Sequence, residues 1–244
     1  MKGGLPVREV IVANRAELLS VLCELAEECK NGLLPILHLD AHGHAEGGLL
    51  TAPSGEWTSW EDLVANLRAI NAATGNNLVC IFALCFGLHL YRFMSITELV
   101  PAFLFIASSK EVTVGFLEDQ TRNFYRNLID TGDLTSAFTS SLAAEMTAIY
   151  CQALFLRALA GYVKEYCRGA GRKRRLERLL TEGLQEIGVS TPTPSQLQTL
   201  RKHARAQLKP GPHLIERFGA TYLAGRPAGF TYREVESLAN GSRR

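Results

Sequence analysis

Residues 33–44 read Leu-Leu-Pro-Ile-Leu-His-Leu-Asp-Ala-His-Gly-His, and residues 78–87 read Leu-Val-Cys-Ile-Phe-Ala-Leu-Cys-Phe-Gly. Each stretch opens with a short apolar run, Leu33 to Leu39 and Leu78 to Leu84, and a third run follows from Ala102 to Ala107. None alternates with period 2, which is the pattern of strands covered on both faces. A fourth candidate strand, Val7 to Ala13, precedes a helical pattern from Arg15 to Lys30. There Leu18, Leu19, Leu22, Leu25 and Ala26 recur at helical spacing and Asn31-Gly32 makes a C-cap. Ser59-Trp60-Glu61-Asp62 reads as a capping box that opens a helix through about Asn71, and Thr74-Gly75-Asn76-Asn77 ends it. Another helix is expected after Cys85, reaching about Met94. Strands alternating with helices to about Thr131 predict an α/β fold, a mostly parallel sheet of about four to six strands flanked by helices.

Beyond that point the pattern turns helical. Asp133 to Tyr166 has apolar residues at helical spacing, and the run Gly169-Ala170-Gly171-Arg172-Lys173-Arg174-Arg175 breaks it as a surface loop before Leu176 to Ile187 resumes. Thr191-Pro192-Thr193-Pro194 reads as a rigid linker. Ser195 to Arg244 is expected to hold a helix from Gln196 to Leu208, a short strand around Ala220 to Leu223 and a short helix from Tyr232. The expected organisation is a core over residues 1–147 and a helical, basic C-terminal extension over residues 148–244 packed on it.

The chain has 244 residues, 47% hydrophobic and 20% charged, a composition that excludes disordered, collagen-like and coiled-coil classes. At this length roughly 70–75% of the unfolded surface is buried, so a core needs no disulfide or metal staple. The six cysteines (Cys23, Cys29, Cys80, Cys85, Cys151, Cys167) lack close paired spacing, and no apolar signal segment follows Met1-Lys2-Gly3-Gly4, so a reducing cytoplasm is expected. Met146 to Val163 is the most apolar stretch, but Gln152 and Arg157 interrupt it, which favours a core helix over a membrane span. The net charge of +2 hides a polarity: residues 1–164 hold 11 Lys+Arg against 17 Asp+Glu, and residues 165–244 hold 15 against 7. Nucleic acid is not an expected partner of that basic third, because its basic run lacks interleaved aromatics or a recognisable binding motif.

The residues that carry chemistry sit at the carboxyl ends of two expected strands: His42-Gly43 after the first and Cys85 after the second. In an open parallel sheet ligands bind at those ends, so residues distant in sequence meet in one cleft. A free thiol is only a few per cent thiolate at neutral pH, and a neighbouring imidazole removes its proton. That makes Cys85 a candidate nucleophile and His42 its base. The N–H groups of Gly43 and Cys85 would hold a tetrahedral oxyanion.

At these residues the chain resembles the caspase-type cysteine peptidases, and most closely the CHAT family of that fold. The resemblance lies in His42-Gly43 and Ala83-Leu84-Cys85-Phe86-Gly87. It extends to the hairpin Gly47-Gly48-Leu49-Leu50-Thr51 with Gly55-Glu56-Trp57, to the helix after it, and to Arg122-Asn123-Phe124-Tyr125-Arg126-Asn127-Leu128 followed by Gly132 and Ala137-Phe138. It covers about residues 30–140. Phe86 stands where the family often has an acidic or small polar residue. The resemblance implies a caspase-like sheet and a cysteine endopeptidase with a protein substrate, no cofactor, and a regulatory protein partner in a bacterial signalling or antiviral defence cascade. Peptidases of this fold often prefer Asp or a basic residue before the scissile bond. Glu118 and Asp119 are the candidate acids for a basic side chain, and the Arg172 to Arg175 loop is a candidate self-processing site.

Two other readings stay open. An inactive relative would use the same cleft as a protein-interaction module. A metal-dependent hydrolase would use the cluster His38, Asp40, His42 and His44, since His38, Asp40 and His42 share one face if the strand persists. Further ligands at strand ends are scarce, and a hydrogen-bonded pair of His38 and Asp40 beside the cleft is the preferred reading of those two residues.

Overall fold

A computed structural model describes residues 6–241 as two compact units, one ending at Cys151 and the other beginning at Gln152. The first is an α/β layer. After α1 (Arg15–Lys30) come β1 (Ile36–Asp40), β2 (His42–His44), β3 (Gly48–Thr51), β4 (Glu56–Thr58), α2 (Trp60–Ala73) and β5 (Val79–Ala83). Then follow a 3₁₀ segment (Gly87–Phe93), β6 (Leu104–Ala107), α3 (Val114–Thr131), α4 (Leu134–Ser140), a 3₁₀ turn (Leu142–Ala144) and β7 (Thr147–Tyr150). The main sheet has the order β1-β5-β6-β7, with β1, β5 and β6 parallel and β7 antiparallel at one edge. β2, β3 and β4 form a separate antiparallel meander.

The three apolar runs become β1, β5 and β6. The two inner ones are covered on both faces: Cys80, Ile81, Phe82, Leu104, Phe105 and Ile106 are fully buried. Ile81, Leu104 and Ile106 pack on α3 and α4 through Phe124, Leu128 and Ala137. α1 packs against α2. The N-terminus of α2 is fixed by Ser59, whose Oγ accepts the Asp62 N–H and donates to the Asp62 carboxylate at 2.7 Å. Burying α2's Leu63, Val64, Leu67 and Ile70 stabilises this unit by about 1.5–3 kcal/mol per side chain.

The second unit is helical. α5 (Cys151–Tyr166) leads into it, followed by α6 (Gly169–Glu186), α7 (Pro194–Gln207), α8 (His213–Tyr222) and α9 (Tyr232–Ala239). Its core gathers Leu154, Phe155, Leu159, Val163, Leu214, Phe218, Tyr222 and Val235, with the rings of Phe155 and Tyr222 stacked at 5.2 Å.

Five expectations are corrected. Val7 to Ala13 joins no sheet: Val7 and Ile11 are exposed, and Arg8 is tied instead to Glu28 on α1. The helix after Cys85 is a 3₁₀ segment, Gly87–Phe93, entered from Phe86 in the left-handed region. Thr147 to Tyr150, read as helical, is β7, which moves the unit boundary from 147/148 to 151/152. Gly169 to Arg175 is the first half of α6, not a loop: a Cβ on Gly171 would overlap the carbonyl oxygen of Glu165, so that glycine serves a close joint between α5 and α6. Ala220 to Leu223, read as a strand, closes α8, where Phe218 and Tyr222 fall on one buried helical face.

Candidate active site

β1 ends at Asp40, and the chain turns straight into β2, where His42 stands opposite Leu50 and Gly43 opposite Leu49. β5 ends at Ala83, and Leu84-Cys85 carries the chain to Phe86, which sits in the left-handed region at φ 59, ψ 17. A bulky residue there costs on the order of 1–2 kcal/mol and produces an abrupt strand-to-turn reversal that leaves Cys85 at its corner. The Phe86 ring meets the edge of His89 at 5.4 Å, and His89 Nδ1 lies 3.0 Å from the carbonyl oxygen of Ala45, which links this corner to the turn after β2.

The two strand ends meet. A Cβ placed on Gly43 would overlap the carbonyl oxygen of Cys85 and lie 2.9 Å from Leu84 Cδ1 and 3.0 Å from the carbonyl carbon of Cys85. Glycine is the residue that permits this approach. The His42-Gly43 and Cys85 segments, distant in sequence, are therefore adjacent main chains, with the His42 side chain exposed and Cys85 half-buried.

No hydrogen bond among the described residues joins His42 to Cys85. The Cys85 thiol is held by the loop after β6: the Val112 N–H donates to Sγ at 3.4 Å, and Sγ lies 3.7 Å from the Val112 carbonyl oxygen. The same loop is stitched to the turn by the Phe86 N–H to the Lys110 carbonyl at 3.2 Å and the Leu88 N–H to the Ser108 carbonyl at 3.0 Å. This loop escapes a reading of the sequence because it acts mainly through its main chain, and an apolar Val112 carries no sequence signal for it. All six cysteines are free. Cys29, Cys80, Cys151 and Cys167 are buried, and burial pushes the thiols of Cys29, Cys80 and Cys167 up, away from the thiolate. Only Cys85 and the exposed Cys23 meet solvent.

The histidines of the alternative metal cluster go separate ways. His38 stands in register with Ile81 on the α3 face, its Nδ1 3.1 Å from the Tyr125 hydroxyl. Burial holds the His38 imidazole below its ordinary pKa against the opposing pull of Asp40, and burial pushes Tyr125 up to about 12. His44 Nδ1 accepts the N–H groups of Glu46 and Gly47 at 3.3 and 3.1 Å, and its ring meets Trp57. Among the described residues no group of three or more His, Cys, Asp or Glu side chains is placed to hold a metal ion. Glu118 and Asp119 are exposed in the first half of α3, and neither joins a hydrogen bond or ion pair among the described residues. No helix of the described residues is long and apolar enough to cross a membrane. Compared with known proteins, the chain matches no family model, no curated protein and no solved structure.

Proposed function

We propose that the protein is a cysteine endopeptidase that cuts a partner protein, with Cys85 as nucleophile and His42 as its base. The observation that supports this reading is the contact of the Gly43 main chain with the Cys85 carbonyl, which brings the backbone segment carrying His42 against the strained turn carrying the half-buried Cys85. In the reaction the Cys85 thiol turns from the Val112 carbonyl toward His42, loses its proton to the imidazole, and attacks the scissile carbonyl. The oxyanion takes hydrogen bonds from the main-chain N–H groups of Gly43 and Cys85. His42 returns the proton to the leaving amine, and water then releases the acyl group from sulfur.

The sequence resemblance supports a protein substrate and a place in a signalling or defence cascade. Glu118 and Asp119 are the carboxylates that would meet a basic residue before the scissile bond, and reversing their charge tests that preference. Self-cleavage at Arg172 to Arg175 is not part of the proposal, because those residues lie inside α6 and a peptidase cleft takes an extended segment. A non-catalytic interaction module is the second reading, favoured by the hold of Val112 on the thiol.

The two readings part on incubation with a peptide mixture of natural sequence and identification of new N-termini. The proposal expects cleavage that Cys85→Ala and His42→Ala abolish at unchanged circular dichroism and that EDTA leaves intact. Cleavage surviving both substitutions refutes the dyad, and no cleavage by any form favours the module.

A further inference from the structure

The second unit, residues 152–244, holds 17 Lys+Arg against 7 Asp+Glu, and the excess is not evenly spread. α6 mixes signs: Glu182 pairs with Arg175 and Arg178 at 3.5 and 3.4 Å. α7 does not. Between Glu186 and Glu216 the sequence has no acidic residue, while Arg201, Lys202, Arg205 and Lys209 all fall within that stretch. Soluble surfaces ordinarily intersperse the two signs, so a helix with one sign and no counter-charge is a departure that calls for an opposing charge.

The geometry of α7 sharpens this. Its inward side is Leu197, Leu200 and the buried Ala204, and Gln198, Arg201, Lys202 and Arg205 are exposed together on the flank beside it at spacings of three and four residues. None of the three cations makes an ion pair among the described residues. With Gln198 they line a shallow, open surface depression. The helix is rigidly started: Pro194 occupies its first turn, and Thr193 and Gln196 form a reciprocal capping box, with the Thr193 N–H donating to Gln196 Oε1 at 2.8 Å. Arg201 and Arg205 are therefore held one turn apart, about 6 Å along the axis, where each can take one of two successive phosphates.

We propose that this face of α7 binds the phosphodiester backbone of a nucleic acid. Two guanidinium groups suit phosphate oxygens through paired N–H donors, Lys202 adds a third cation, and the Gln198 amide donates to phosphate or sugar oxygens. The absence of interleaved aromatics, which argues against nucleic acid at the level of sequence, excludes base stacking on single strands. It does not bear on backbone contacts, so a duplex is the expected form. The proposal rests on α7 alone and does not depend on the peptidase reading.

The test is fluorescence anisotropy of the full chain with a 20-base-pair DNA duplex, the RNA duplex of the same sequence and sodium polyglutamate, from about 50 to 200 mM salt. The duplexes separate the two sources of one backbone chemistry, and binding to either supports the proposal. R201A/K202A/R205A should weaken that binding at least tenfold at the lower salt and reduce the salt slope by about 2–3, close to one for each phosphate that is no longer neutralised. K173A/R174A on α6 should retain most of it. No duplex binding by the natural chain, an unchanged affinity in the triple variant, an equal loss in both variants, or tighter binding of polyglutamate than of either duplex would each overturn the assignment.

Discussion

The α-carbon of Gly43 lies against the main-chain carbonyl of Cys85, so close that a methyl group on Gly43 would overlap the carbonyl oxygen. This relationship joins β2 to the turn after β5 and has no slack, because the far partner is backbone and not a flexible side chain. Gly43→Ala should therefore cost about 1–3 kcal/mol in stability by overpacking and remove nearly all peptidase activity by pushing His42 away from Cys85. Thermal melting and cleavage assays of the variant check both, and a variant with natural stability and activity contradicts the contact.

The strand that carries Cys85 is anchored at its other end by Asn71, which is fully buried in α2. Its Nδ2 donates to the Val100 carbonyl at 2.7 Å and to Asn76 Oδ1 at 2.9 Å, and its Oδ1 accepts the Leu78 N–H at 3.1 Å. Asn71→Leu keeps the volume but leaves a buried N–H and a buried carbonyl without partners, at a cost of about 2–4 kcal/mol. Urea unfolding should show the midpoint fall accordingly. A loss below about 1 kcal/mol would mean that other groups take over those bonds.

Stability should also fall on mild acidification through His38. Burial holds its folded pKa below the unfolded value of about 6.5. The unfolded chain therefore binds the proton first, and the contribution present above about pH 6.5 is lost as pH falls toward the folded pKa. Asp62, held below its ordinary range by hydrogen bonds from Ser59 and Arg15, titrates in a lower window and does not confuse the reading. Urea midpoints between pH 7.5 and pH 5, on a scale set by these ordinary values, should decline less steeply for His38→Phe than for the natural chain. Identical slopes would place the acid sensitivity elsewhere.

The helical state of Arg172 to Arg175 makes a further prediction. Prolonged incubation of the natural chain should leave this run uncut, and brief trypsin treatment should cut other basic sites first, because a helix must unwind to enter a protease cleft. Early fragments that end between Arg172 and Arg175 would show that α6 opens.

The inner strands are legible in the sequence because β5 and β6 are apolar on both faces and bounded by turn residues. The Cys85 segment is legible because it follows such a strand, and the His42-Gly43 segment because it follows the apolar run that becomes β1. Val7 to Ala13 has the composition of a strand, but the Arg8 to Glu28 ion pair and solvent take up its residues. β7 is hidden because Thr147 to Tyr150 adjoins α5 without a turn residue between them. Gly169 and Gly171 read as helix breakers, whereas the use of Gly171 is steric, at a close approach of two backbones that no local pattern encodes. The hold of Val112 on Cys85 is invisible for a related reason: both of its links run through main-chain atoms.

The most direct measurement is the rate at which iodoacetamide alkylates Cys85, mapped by mass spectrometry, with the exposed Cys23 of the same chain as internal reference. A nucleophile served by a neighbouring imidazole should react faster than Cys23 despite being half-buried. His42→Ala should slow Cys85 about a hundredfold or more, from the low end of the roughly 10²–10⁴ that a positioned base supplies, and leave Cys23 unchanged. A Cys85 that reacts no faster than Cys23, or at the same rate with and without His42, contradicts the account.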